Sequence, residues 1–302
     1  GPTHHLISTM RNNRLNRILP FGWRLGAVFF ATIVLGGAAR AAELPELAAA
    51  RVRADRMLII AHRGHSSVAP ENTLPAFESA IAARADLIEL DYYHSADGVP
   101  VVFHDKTLDR TTNAEQVLKK TKQPVALTSL EELRRLDAGS WFDPKYAGAK
   151  ILTLDEALDA IQAGSMTLIE HKGGDAATCV ELLRKKELVD RVVVQSFNWG
   201  FLRDCHKLEP RLTLGALGSD ELTDDKLKQI EACGARVVGW NHKYIGPREI
   251  ARIHQSGKQA WVYTVNDVAR ARELQQAGLD GLITDRAAEM RGVFVAAEKS
   301  AE

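Results

Sequence analysis

The chain has 302 residues, 45% hydrophobic and 26% charged, with 39 Lys+Arg against 39 Asp+Glu and therefore a formal net charge of zero. Such a composition describes a globular protein with room for one large α/β domain or two small ones, and it does not indicate disorder. The charge balance argues against a protein held to nucleic acid by electrostatics.

The beginning of the chain reads as a separate piece. Residues 10–24, MRNNRLNRILPFGWR, carry four arginines and no acid, residues 25–39 carry no charge, and Ala39-Arg40-Ala41 forms a small-residue cleavage pattern. Together they describe an export signal over residues 10–41, cut after Ala41. Its apolar core is shorter than the roughly 20 residues of a membrane span. No stable membrane anchor is therefore expected after cleavage, and the mature chain is expected to be periplasmic or secreted. Residues 1–9 precede Met10, which can serve as initiator, and are set aside as a cloning remnant or a misplaced start. A single domain then occupies 42–302, with its core over 55–295. Its cysteines, Cys179, Cys205 and Cys233, are odd in number and all fall in helical segments. They are expected as small packed residues; one disulfide stays open, with nothing to choose its pair.

Past residue 55, short apolar runs alternate with amphipathic stretches. Strands are expected at 57–61, 87–91, 167–170, 191–196, 211–215, 235–239, 259–264 and 281–284, and helices at 74–84, 154–163, 175–187, 223–232, 247–256 and 267–277. Parallel strands need long crossovers, and strands buried on both faces read as continuous apolar runs, so eight of them predict a (β/α)8 TIM barrel. An open doubly wound sheet lacks its G-x-G-x-x-G signature after the first strand. Asp97-Gly98 marks a hairpin, after which the run 99–103 turns back along the second strand. Residues 105–150 form an insertion over the barrel's active-site face, with one helix at 129–137; its aromatics Trp141, Phe142 and Tyr146 are expected to pack within it.

The polar residues gather at C-terminal strand ends, where barrel chemistry takes place. His62 ends the first strand. Glu89 and Asp91 end the second, and Glu170 and Lys172 the third, each couple at the i,i+2 spacing that points both side chains to one face. Glu89, Asp91 and Glu170 form an oxygen-only cluster suited to one hard divalent cation, Mg²⁺ or Ca²⁺; a metal-free cluster salt-bridged by Arg63 and Lys172 is the alternative. His104, brought back by the hairpin, joins His62 as a candidate for proton transfer. A cation, basic side chains and two imidazoles around one mouth suit a small anionic substrate, a phosphate ester above all.

HRG with PENT behind it, ELD, DGVPVVFHDKTLDRTT, IEHK, QSF and GLITDRA, in that order across residues 57–287, resemble the glycerophosphodiester phosphodiesterase family. The resemblance implies cleavage of glycerophosphodiesters to sn-glycerol 3-phosphate and an alcohol, with a cation on Glu89, Asp91 and Glu170 and a catalytic couple at His62 and His104. It further implies phosphate contacts from Arg63 and Lys172 and an aromatic near the substrate at Trp261. His171 and Ser95 depart from the family's pattern but should point away from the metal. His65 is open between lining the pocket and facing water. Other readings are a lysophospholipase D-like or other phosphodiesterase on this scaffold, a transition-metal hydrolase, which the i,i+3 spacing of His62 and His65 opposes, and a non-catalytic exported binder of phosphoesters.

Overall fold

The computed structural model describes residues 46–295. The expected leader over 10–41, its cleavage point and the segment 1–9 lie outside the described residues.

Nine strands form the central sheet: β1 (Leu58–Ala61), β2 (Leu87–His94), β3 (Pro100–Val102), β4 (Thr167–His171), β5 (Val192–Ser196), β6 (Thr213–Gly218), β7 (Val237–Asn241), β8 (Gln259–Tyr263) and β9 (Gly281–Thr284). All but β3 pair in parallel, in the order β1-β9-β8-β7-β6-β5-β4-β2, and β1 also pairs with β2, so the sheet closes into the expected eight-stranded barrel. Helices lie on its outside. Several begin where a side chain accepts a hydrogen bond from a free backbone N–H of the first turn: Thr153 from Glu156, Asp175 from Thr178, Asn198 from Phe201 and Asp267 from Arg270. The helix Trp199–Leu208, between β5 and β6, was anticipated only by the helical reading around Cys205, without bounds, and the helix Ala287–Phe294, after β9, was not among the expected ranges. The first follows its strand after only two residues, so little turn chemistry separates the two runs.

Strand alternation divides the apolar residues into two sets. Ile59, Ile88, Leu90, Ile169, Val194, Leu214, Val238 and Val262 pack outward beneath the helices. Leu58, Ile60, Leu87, Leu168, Val193, Val237, Trp261 and Ile283 fill the barrel interior, and Ala48 and Val52 close its lower end. Packing thus begins earlier than the expected core boundary at 55. The three cysteines are free thiols, buried at helical positions, and burial pushes the Cys179 thiol up to about 11.

The strand β3 determines where the site forms. Tyr92 pairs with His171 of β4 on one edge and with Val102 of β3 on the other, so β3 takes the edge that β1 occupies lower down. The turn between them is made by Gly98, whose φ of +80° favours glycine. The insertion that follows has its own core, with Val101, Phe103, Leu108, Val125, Leu133, Leu136 and Ile151. It carries two short helices where one was expected, Ala114–Leu118 and Leu130–Arg134, the second shorter than its expected range because the chain leaves the helix to bury Leu136 and Ala138. Phe142 stacks edge to face on both Trp141 and Tyr146, but the expected packing within the insertion holds only in part, since Trp141 stays 39% exposed. Among the described residues no helix is long and apolar enough to cross a membrane.

Interior packing makes one position of β9 especially intolerant. A Cβ at Gly281 would collide with the indole of Trp261. Gly281→Ala should therefore lower unfolding stability by about 1–3 kcal/mol, the usual cost of overfilling a core, read as a shift in the denaturant midpoint at constant slope.

Candidate active site

On β2, Leu87, Glu89 and Asp91 face into the barrel, and only the first is apolar. In register Asp91 lies beside Glu170 of β4. Oxygens of Glu89, Asp91 and Glu170 come within 4.8 Å of one another, and all three residues are buried. Burial, then the charges of Asp91 and Glu170, hold the Glu89 carboxyl well above the usual carboxylate range; burial and Glu170 raise Asp91.

Basic groups answer part of this charge. Lys172 Nζ donates to Glu170 Oε1 at 3.0 Å and stands 3.8 Å from Asp91 Oδ1, while Arg63 Nε stands 3.5 Å from Asp91 Oδ2. The Arg63 backbone N–H donates to Glu89 Oε2 at 2.8 Å, and Asn72 Nδ2 donates to Asp91 Oδ2 at 3.0 Å. Arg63 reaches Glu89 because its φ of 56° turns the chain sharply at the end of β1. Gly64 follows at φ +82°, and a Cβ there would lie 2.8 Å from Ala76. Against the elevation produced by these acids, burial lowers both cations, yet Lys172 and Arg63 end above their ordinary values.

The salt-bridged alternative is therefore present in part, but it does not exhaust the acids. Three carboxylates face two cations, and Glu89 Oε1 and Asp91 Oδ1 are buried with no hydrogen-bond partner among the described residues. Buried oxygens in that condition are costly, and an all-oxygen donor set suits a hard divalent ion. The three residues fit such a cation.

His62 and His104 meet above this floor. Each is backed by a carboxylate: Asp285 Oδ1 lies 2.7 Å from His62 Nδ1, and Asp105 Oδ1 lies 2.7 Å from His104 Nδ1. Asp285 also accepts from Ser66 Oγ and Asn266 Nδ2. Although burial opposes it, these bonds take Asp285 down to about 2. Burial lowers His104, with Asp91 pulling the other way.

A further charge cluster joins the two imidazole neighbourhoods. Arg110 donates from Nη2 to Glu71 Oε1 (2.5 Å) and from Nε to Asp105 Oδ2 (2.8 Å), and Glu71 Oε2 accepts from Arg63 Nη1 at 3.2 Å. Arg110 lies over the Trp141 ring, 5.7 Å from its centroid, and Tyr146 donates its hydroxyl to the Val68 carbonyl. Glu71, His104 and Asp105 could also offer metal-compatible spacing, but Arg110 and Arg63 already neutralise those acids. Asp285, Asp105, Glu71 and Arg110 were not singled out from sequence. Asp285 could have been found by alternation, two residues after the inward Ile283 of β9; Glu71 and Arg110 meet across 39 residues and left no local trace.

The mouth holds a cavity of about 310 Å³, lined by His62, Arg63, Glu89, His104, Glu170 and Lys172 on one side and by Gln195, Phe197, Leu217, Tyr263, Thr264 and Ile283 on the other. Trp261 is not brought to it. At 1% exposure it lies one layer lower in the apolar interior, and Tyr263, two residues on, lines the wall instead. His65 takes neither expected course: it is buried, with Nδ1 2.8 Å from Ser79 Oγ. His171 points out of the barrel and stacks on Phe201, and Ser95 Oγ donates to Asp97. A larger hollow, about 610 Å³, opens at the opposite end near Asp86 and Met166, far from this chemistry; Asp86 is gripped there by Arg56 and Arg291.

A barrel with buried acids, cations and two carboxylate-backed imidazoles around one small cavity defines a hydrolase of phosphoric esters. The family model for the glycerophosphoryl diester phosphodiesterase family matches residues 62–289. The chain belongs to this family of glycerophosphodiester phosphodiesterases. It is 33% identical over 298 residues to a glycerophosphodiester phosphodiesterase of Bacillus subtilis, covering 90% of this chain and 96% of that one. With the enzyme of that name from Caldanaerobacter subterraneus it shares 35% identity over 239 residues, 76% of this chain and 94% of the other. A phosphodiesterase from Oleispira antarctica, solved with the product sn-glycerol-3-phosphate, superimposes with a TM-score of 0.72 at 30% identity, covering 78% and 95% of the two chains.

The raised Glu89 and Asp91 carboxyls carry a pH consequence. A cation held by these acids would bind their ionised forms and displace protons, so its affinity should tighten as pH rises through their elevated range. Calorimetric titration with Mg²⁺ or Ca²⁺ at several pH values should show proton release on binding; a pH-independent affinity would contradict the assignment of these acids.

Proposed function

We propose that the chain cleaves glycerophosphodiesters to sn-glycerol 3-phosphate and an alcohol, using His62 and His104 for proton transfer and one divalent cation, Mg²⁺ or Ca²⁺, on Glu89, Asp91 and Glu170. The observation that carries this reading is the placement of two His–Asp pairs at one cavity floored by three clustered carboxylates. When bound, the cation would supply Lewis-acid polarisation and charge for the phosphoryl oxygens. Arg63 and Lys172 flank the same floor, and their raised pKa values favour the charged forms that grip a phosphate.

With Nδ1 of each ring tied to a carboxylate, Nε2 is the nitrogen left for a bound substrate. Burial holds His104 below the usual imidazole range, and a nearby dication would lower it further, so its neutral form is favoured. That supports His104 as the base, taking a proton as the new P–O bond forms, either from water or from the neighbouring glycerol hydroxyl, the latter giving a cyclic phosphate that water then opens to sn-glycerol 3-phosphate. His62, backed by the ionised Asp285, is then the acid, giving its proton to the alkoxide as the old P–O bond breaks. The leader pattern over residues 10–41 supports action outside the cytoplasm.

Phosphorus NMR on sn-glycero-3-phosphocholine, with each cation and with chelator, should show turnover only when metal is present. His62→Ala and His104→Ala should each lower kcat by about 10²-fold or more. On a diester whose leaving group is p-nitrophenolate, which departs without protonation, His62→Ala should regain much of its loss and His104→Ala should not. The reverse pattern would exchange the two roles, and near-wild-type kcat in both variants would end the assignment.

A further inference from the structure

Gln195 stands on β5 beside Glu170 in register, with Gly215 of β6 as its other neighbour. It lines the active-site cavity at 2% exposure, yet its Oε1 has no hydrogen-bond partner among the described residues. Buried amide oxygens are almost always satisfied, because leaving one dry and unpaired is costly. Of the donors around the cavity, Tyr263 gives its hydroxyl to the Gly218 carbonyl at 2.7 Å, Lys172 bonds to Glu170 and Arg63 to Glu71, and none of them bonds to the amide. Phe197, Leu217 and Ile283 line the wall on that side and offer no side-chain donor.

Space beside the amide is that of the cavity itself, about 310 Å³, and close packing holds the amide at its edge. A Cβ at Gly239 would stand 2.9 Å from Leu217 and 3.6 Å from Gln195 Oε1, and one at Gly215 would stand 3.3 Å from the Gln195 Cβ. A side chain at either glycine would crowd Leu217 or the Gln195 stem, so the two glycines let both residues pack as they do beside an acceptor that lacks a donor. A second anion would be repelled by Glu170 and an apolar group would leave the oxygen unpaired, so a partner that is small, neutral and able to donate suits the position. A hydroxyl meets all three conditions, and a glycerophosphodiester carries two on its glyceryl group.

We infer that Gln195 Oε1 accepts a hydrogen bond from a glyceryl hydroxyl of the substrate and selects a polyol ester over a plain alkyl ester. The inference rests on the proposed phosphodiester reading of the same cavity. Sites built to satisfy a substrate hydroxyl discriminate strongly against analogues that lack it, since the buried acceptor is then left unpaired.

Two ligands that share a three-carbon chain and a phosphate separate the hydroxyl contact from everything else: sn-glycerol 3-phosphate and n-propyl phosphate. As inhibitors of the full chain with cation present, the first should bind about tenfold or more tightly than the second. In Gln195→Met, glycerol phosphate should weaken by about that factor, propyl phosphate should keep its inhibition constant, and the cation's dissociation constant, measured by calorimetry without substrate, should not move. Equal binding of both ligands to the unmodified chain overturns the inference without any variant. So does equal weakening of both in Gln195→Met, or a weakened cation, which would make the amide a metal ligand instead. Failure of the unmodified chain to bind either phosphate or to turn over a glycerophosphodiester would remove the underlying functional reading itself.

Discussion

Two carboxylates, Glu89 and Asp91, are buried side by side at the end of one strand, and the rest of the site is organised around that unfavourable pair. Like charges in a dry interior are tolerated only where positive charge and donors converge on them. The turn at Arg63 and Gly64 delivers a backbone N–H to one acid, the loop after it brings Asn72 to the other, and β4 contributes Lys172 together with a third acid. These groups satisfy some of the oxygens and leave Glu89 Oε1 and Asp91 Oδ1 buried without a hydrogen-bond partner among the described residues. Incomplete compensation is what makes the cluster fit a cation, whereas a fully paired network would make it a structural ion pair of ordinary kind.

The second constraint is topological. A parallel barrel supplies side chains to its mouth from eight strand ends, but β2 outruns β1, and its free edge would otherwise face water. β3 covers that edge and carries His104 back to the rim opposite His62. Arg110 then ties the loop after β1 to the loop after β3 through Glu71 and Asp105, and Trp141 and Tyr146 hold that junction from the insertion side. Buried or half-buried charge networks of this kind fix geometry more than they add stability.

Much of this was legible in the sequence because it is periodic or local. The apolar runs at 57–61, 167–170 and 281–284 announced strands buried on both sides, and the i,i+2 spacing of Glu89 with Asp91 fixed their common face. Asp97-Gly98 announced the hairpin that brings His104 into the site. What stayed hidden depends on contacts between distant elements. His62 meets Asp285 across 223 residues, which no local pattern encodes. Trp261 has the right strand and the right face but the wrong depth, since alternation reports inward orientation and says nothing of the layer reached. His65 had a partner, Ser79, on a helix whose approach only the folded chain defines.

The two imidazoles differ in where their carboxylates come from. Asp285 follows the last barrel strand, so His62 is oriented by the scaffold itself. Asp105 opens the 105–150 segment and is anchored through Arg110 to that segment's aromatic cluster, so His104 is oriented by an appendage. An appendage can be lengthened, shortened or exchanged in evolution without rebuilding the barrel. The architecture therefore separates an imidazole–carboxylate pair fixed by the barrel from one whose placement depends on the insertion.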